Sequence, residues 1–304
     1  MEVGIALPTM AAGYDGPSLR AWCRGVDEGP FSSISTGERI TFDNPELLTT
    51  LAACAALTRN VDIMANIVVA PLHRPALLAK QLATIDVLSE GRLVVGLGVG
   101  GRPDDYAATE TPFERRHDRV DEIAGELRSL WSGRPPFDGA DPVGPAPFHA
   151  AGPRLVSGAL GPKGIARAAA WAEGITGFSI SGAKDEITAQ VTLARLAWSD
   201  AGRQAPPWLG SGTFCVLGVV DALPTLHRFA ARYLSFLGDD IAEAVASGLK
   251  VADPDSLNAV LDAAEAAGID EFTLVPGSWE IGCLEAIAEI VGARQRSEPQ
   301  AEEH

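Results

Sequence analysis

Two glycine-bearing stretches hold the residues best suited to chemistry with a ligand. Arg92 to Leu97 is an apolar run that leads into Gly98-Val99-Gly100-Gly101. Backbone with so few side chains lets a flat ligand approach closely, and the competing reading is a tight strand exit with no ligand. Gly96 to Gly101 also satisfies the G-x-G-x-x-G pattern, but that fingerprint needs a helix opening among its glycines, and Arg102-Pro103-Asp104-Asp105 follows instead. The second stretch, Ser157-Gly158-Ala159-Leu160-Gly161-Pro162, joins an apolar run to a helical one. A helix starting there offers unpaired N–H groups and the positive end of its dipole, and Pro162 suits the first helical position. That is a phosphate cradle, or else a plain strand-to-helix turn.

Other chemistries find no support. Cys23, Cys54, Cys215 and Cys283 lie far apart and form no C-x-x-C pair, which fits buried structural thiols in a reducing cytoplasm. The histidines are equally scattered, without H-E-x-x-H spacing, so no metal is expected. A net charge of −16 repels phosphates and argues against a nucleic-acid or anionic-membrane surface. No apolar run is long enough to span a bilayer, and MEVGIALPTM goes straight into a strand with no secretory pattern.

The elements that position the two stretches alternate along the chain. Val3–Leu7, Phe31–Ser35, Asp62–Val69, Arg92–Leu97, Arg154–Ser157, Gly174–Ile180, Thr213–Val220 and Phe272–Val275 are short apolar runs that read as strands. Helical patterns separate them. One opens at Pro45; another carries Leu78, Leu82, Ile85 and Leu88 as an apolar stripe; a third, from Glu114 to Trp131, turns Val120, Ile123, Leu127 and Leu130 inward. Leu223 to Ala246 is helical material, Asp253-Pro254 starts a helix closed by Gly268, and Ile281 to Val291 is the last. Eight strands alternating with helices in 304 residues are the arithmetic of a (β/α)8 TIM barrel, a fold of about 250 residues. The expected organisation is one barrel over 1–291, with a proline-rich surface excursion at 132–153 and a polar tail at 292–304. Binding sites of such barrels lie on the loops that follow the strands, where both glycine stretches fall.

Several motifs resemble the luciferase-like monooxygenase superfamily. They are Pro71-Leu72-His73-Arg74-Pro75, the run Leu82 to Arg92 (LATIDVLSEGR), Gly96-Leu97-Gly98-Val99-Gly100, Gly158 to Gly161, Ala168 to Gly174 and Ala266 to Phe272, in this order over nearly the whole chain. The resemblance implies a bacterial-luciferase-like barrel that binds FMN or the deazaflavin coenzyme F-420. Its members add oxygen to a small organic substrate or exchange a hydride with it, and a homodimer is the expected assembly. It also implies that Asn66 and Ile67 form a bulge against the ring, in some members through a cis peptide. Val99, Gly100 and Gly101 would then line the ring, while Ser157, Gly158, Ala159, Leu160 and Gly161 would hold the phosphate.

One departure stands out. Many members carry an acidic residue and a histidine after the second strand, where this chain has Thr36-Gly37-Glu38. No catalytic histidine carries over to that position. Glu38, His73 and Arg102 are candidates by their place on the loops after strands, each with a solvated or structural alternative. Two rival readings stay open: a flavin-binding barrel without catalysis, and a barrel lyase or isomerase that grips a phosphorylated substrate directly. The latter needs convergent acid–base groups, and the sequence offers no convincing set.

Overall fold

Each strand pairs in parallel with the next one along the chain. In the computed structural model, which describes residues 1–297, these are β1 (Glu2–Ala6), β2 (Ser33–Thr36), β3 (Asp62–Val69), β4 (Leu93–Gly98), β5 (Arg154–Ser157), β6 (Gly174–Thr176), β7 (Trp208–Cys215) and β8 (Glu271–Pro276). β8 returns to β1, with Glu2 opposite Glu271 and Ile5 opposite Leu274, so the sheet closes into an eight-stranded barrel. The expected (β/α)8 architecture is the observed one.

Eleven helices occupy the connections among the described residues: α1 (Gly16–Asp27), α2 (Leu47–Leu57), α3 (Pro75–Leu88), α4 (Pro103–Ala108), α5 (Arg116–Trp131), α6 (Pro162–Ala168), α7 (Lys184–Asp200), α8 (Ala222–Leu234), α9 (Asp239–Ser247), α10 (Pro254–Ala267) and α11 (Ile281–Ser297). Their buried faces and the outer faces of the strands make the main core. In α5, Val120, Ile123, Leu127 and Leu130 are buried as their spacing dictates, and Trp131 Nε1 donates to Ala79 O at 3.1 Å, tying α5 to α3. On α3, Leu78, Leu82 and Ile85 are buried, but Leu88 at the last turn is exposed. α10 starts on a capping box, Asp253 with Ser256, and stops at Gly268 with φ +79°.

The barrel interior is filled separately. Met64, Val94 and Val156 form a small apolar layer against Trp208. At the amino-terminal end Arg154 stacks over Trp208 at 5.0 Å, and Ser33 Oγ donates to the buried Glu271 carboxylate at 2.6 Å.

Several boundaries differ from the sequence reading. The seventh strand is Trp208–Cys215, not Thr213–Val220. Gly210 and Gly212 interrupt its apolar pattern because they admit the Trp208 ring and the Thr273 carbonyl, while Val220 is exposed loop. The sixth strand stops at Thr176, although Gly177 N and Ser179 N go on donating to Gly210 O and Gly212 O. Pro45 precedes its helix; Glu46 caps α2 by accepting from Leu48 N and Thr49 N. Residues 292–297, expected to begin a polar tail, continue α11. Gly292 is buried, Arg294 pairs with Asp262 at 2.6 Å, and Gln295 Nε2 donates to Pro30 O at 2.9 Å. The rest of that expected tail, 298–304, lies outside the described residues.

The chain between β7 and β8 holds more than one return helix. α10 packs beside α7, the place of the ordinary outer helix. α8, a single 3-10 turn (Ser235–Leu237) and α9 are an insertion at the carboxyl end of the barrel. Phe229 of α8 packs on Phe214 at the end of β7, with ring centroids 5.4 Å apart, while Tyr233 a turn later meets Arg39 after β2. This insertion is a roof reaching from the β7 side to the β2 side of the mouth.

Candidate functional site

The site is built around a break in β3. Its pairing with β4 runs Ala65 to Val95 and resumes at Val68 to Leu97, so one extra residue bulges out, and the Asn66–Ile67 peptide is cis. Glycines make room for the bulge. A Cβ on Gly37 would lie 2.8 Å from Asn66 O, one on Gly96 3.0 Å from Ile67 Cγ2, and one on Gly158 2.7 Å from that same methyl. Gly98 likewise faces the Ile67 side chain. Part of the glycine signal in β4 and after β5 thus has an internal cause. Gly98 and Gly158 are glycine because Ile67 lies across them, while Gly96 also admits the Ala65 carbonyl and Gly37 that of Asn66.

Gly100 has an internal cause as well, since a Cβ there would lie 3.0 Å from Val69 Cγ1. Gly100 has φ +61°, a conformation that favours glycine, and Val99 O accepts from the buried Tyr106 hydroxyl at 2.6 Å, which fixes the loop. Burial pushes the Tyr106 hydroxyl pKa up to about 12, so it stays a donor. Asn66, Ile67, Val99, Gly100, Gly158 and Ala159 are all half-buried, which leaves a shallow accessible floor at the mouth. Across it Thr176 Oγ1 lies 3.1 Å from Asn66 Oδ1, and Thr9 and Thr36 share a buried hydrogen bond of 2.7 Å.

Beside that floor, Ser157 is buried and its Oγ accepts from Ala159 N at 3.3 Å, while Gly158 N donates to Leu97 O at 2.9 Å. Gly161 caps α6 without any side-chain acceptor, and a Cβ there would meet nothing within 4 Å. The first-turn N–H groups of Lys163 and Gly164 have no carbonyl within the helix to donate to. The loop and the bulge are brought together; Leu160 stands exposed at the rim.

Glu38, His73 and Arg102 also reach the carboxyl face, each already engaged. Glu38, with its side chain 3% exposed, accepts from His73 Nε2 at 2.9 Å and from Val69 N at 2.7 Å, so it clamps the strand just past the bulge. Arg102 donates to Thr41 O at 3.1 Å and lies 3.6 Å from Asp105. The Asp105 carboxylate itself caps Ile40 N and Thr41 N at 3.2 and 2.7 Å. Among the described residues no three His, Cys, Asp or Glu side chains converge as a metal site would need.

Sequence reasoning missed three features. Thr176 is a short polar residue at a strand end with no motif around it, and Thr36 lies in a stretch that reads only as a departure from the family pattern. Arg39, next to Glu38, is buried under the roof, with Cζ 3.7 Å from the Tyr233 ring centroid and 4.7 Å from that of Phe42. Burial lowers the pKa of its guanidinium below the ordinary value. The roof had a signal: about twice the chain needed for one return helix separates β7 from β8.

A family model for luciferase-like monooxygenases matches residues 1–296. The chain belongs to that family. A curated relative, the F420-dependent hydroxymycolic acid dehydrogenase of Mycobacterium tuberculosis, is 33% identical over 162 residues, or 50% of this chain and 44% of that one. The match therefore spans less than half of that relative's length. Among solved structures the monooxygenase RslO1 from Streptomyces bottropensis superposes with a TM-score of 0.75 at 23% identity, covering 97% of this chain and all of that one. The oxygenating constituent of 3,6-diketocamphane monooxygenase from Pseudomonas putida, in complex with FMN, gives 0.69 at 17% identity over 97% and 98%. At those identities the likeness shows the fold.

Proposed function

We propose that this family member is an oxidoreductase that holds a tricyclic cofactor, FMN or coenzyme F-420, across the barrel mouth and acts on a small organic substrate. The observation that carries the reading is the Asn66–Ile67 bulge, whose half-buried Ile67 side chain is accommodated only because Gly96, Gly98 and Gly158 beside it lack side chains. Ile67 gives a flat ring an apolar support, with Val99, Gly100 and Gly101 along its edge. The open Gly161 backbone and the first-turn N–H groups of α6 fit a phosphate. The cofactor supplies the electron chemistry when bound; Asn66 and Thr176 orient the ring edge and the roof keeps water from it. Glu38 and His73 hold β3 in place and are not assigned to the substrate.

Two further readings accompany this one. Leu57 on α2 and Leu77, Val87 and Leu88 on the adjacent α3 are each at least 42% exposed, which supports a homodimer through these helices. All four cysteines are free thiols, in keeping with a reducing, cytoplasmic setting, and among the described residues no helix is long and apolar enough to cross a membrane.

Parallel difference spectroscopy of the purified chain with FMN and with coenzyme F-420 tests the proposal, followed by turnover assays with the cofactor retained. A perturbed ring spectrum with one of the two is expected. If neither ring spectrum changes at saturating protein, the reading is wrong; binding without any turnover leaves a flavin-binding barrel.

A further inference from the structure

Arg39 presents a charge without an ion-pair partner under the roof. The residue is 8% exposed, it makes no ion pair among the described residues, and its Nη2 donates to the carbonyl of Tyr233 at 2.8 Å. Nη1 is buried and has no hydrogen-bond partner. A desolvated guanidinium whose Nη1 donors are unused is costly in a folded protein unless something else completes it.

Its neighbours deepen the imbalance. Arg102 and Arg232 also approach the Phe42 ring, at 5.9 and 4.8 Å, so three guanidinium groups converge on one aromatic side chain. Two carboxylates face them. Asp43 pairs with Arg232 at 3.2 Å from an exposed position, and Asp105 is taken up by Arg102, Ile40 and Thr41. A locally positive cluster, with Arg39 at its buried end and Arg232 at its exposed end, thus stands in a chain whose net charge is −16. It adjoins the proposed ring site: Gly101 approaches the Phe236 ring, which lies over the Arg39 guanidinium at 5.5 Å.

We infer that the mouth takes a substrate bearing a carboxylate next to an apolar or aromatic body, and that Arg39 is the residue that reads the carboxylate. This rests on the oxidoreductase reading for the location of the substrate. A single negative charge fits better than a phosphate dianion, since Phe42, Tyr233 and Phe236 surround the guanidinium and desolvating a dianion there costs far more. Phe178, half-buried and stacked edge to face on the buried Phe214, which in turn meets Tyr233, supplies apolar surface for the body of the molecule. The exposed Ser235–Leu237 turn, which ends at Gly238 with φ +95°, brings the Phe236 ring to 5.5 Å from the Arg39 guanidinium and is the route of access on this reading.

Calorimetric titration of the full chain with benzoate and phenylacetate, each set against its uncharged amide, tests the inference. The acids are expected to bind at least about tenfold more tightly than the amides, with the difference shrinking as salt rises. Arg39→Met should erase the difference, and Arg39→Lys should restore part of it. Acids and amides that bind the wild-type chain alike, or not at all, would overturn the inference without any variant having to fold; so would a preference that survives Arg39→Met. Weaker coenzyme F-420 binding in Arg39→Met, with no acid–amide difference in wild type, would assign the cluster to an acidic cofactor tail and overturn the substrate claim. The cofactor spectra are read separately, so an acid preference in a chain that binds neither cofactor sinks the oxidoreductase reading and supports Arg39.

Discussion

Ile67 lies across Gly158, so closely that a methyl group added to the glycine would sit 2.7 Å from Ile67 Cγ2. One residue is the bulge of β3, the other the first residue after β5, and each sets what the other can be. A bulge here needs glycine across the mouth. Gly158→Ala should therefore displace Ile67 and cost roughly 1–3 kcal/mol, the usual range for overpacking. Ile67→Ala opens the space again, so the double variant should recover part of the loss, with a coupling of about 0.5–3 kcal/mol. Denaturant unfolding of the four proteins measures it; strictly additive losses would mean that the two residues do not meet.

Glu38 joins two loops through one carboxylate. Replacing it with Ala removes the acceptor of Val69 N and the partner of His73 in a buried position, a loss of about 1–3 kcal/mol. Glu38→Gln keeps an acceptor for Val69 N and should lose less. Thermal unfolding ranks them. If Glu38→Ala matches wild type, Glu38 does not clamp β3.

Much of this was legible before any coordinates, for physical reasons that differ by element. The barrel follows from apolar runs alternating with helical stripes, because burial on both faces of a parallel strand leaves a continuous hydrophobic signature. α5 was readable residue by residue. β7 was not, since Gly210 and Gly212 sit where Trp208 and β8 come close, and close approach removes the apolar residues that periodicity relies on. The two glycine loops announced a site without saying what the glycines were for; Gly96, Gly98 and Gly158 answer to Ile67, and Gly161 to open space. Arg39 carried no signal at all, because its burial depends on a roof that sits about 190 residues further on.

The proposed phosphate loop makes a sharper claim. Gly161→Asp adds a carboxylate where nothing stands within 4 Å of the new Cβ, so the fold should tolerate it. The same charge would repel a phosphate held by the first turn of α6. Cofactor affinity should fall at least about tenfold, with thermal stability within about 0.5 kcal/mol of wild type, as for an exposed substitution. A spectral titration with FMN or coenzyme F-420 decides it. Unchanged affinity would place the phosphate elsewhere.

Glu271 predicts a pH dependence at the opposite end of the barrel. Burial raises its carboxyl above the ordinary 4.5, with Glu2 and Asp62 nearby raising it further and Ser33 and Arg154 opposing. The native state thus prefers the protonated acid. Its contribution to stability is complete below the ordinary carboxylate value and is lost as pH rises through the elevated native value. Glu271→Gln cannot ionise, yet its side-chain oxygen can still accept from Ser33 Oγ. Relative to wild type the variant should gain stability on going from pH 4 to pH 7.5, and the gain should level off once Glu271 is fully charged in the wild-type protein. Melting temperatures of both proteins across that interval test the sign. A difference that stays flat, or that favours wild type as pH rises, would show that Arg154 and Ser33 outweigh burial.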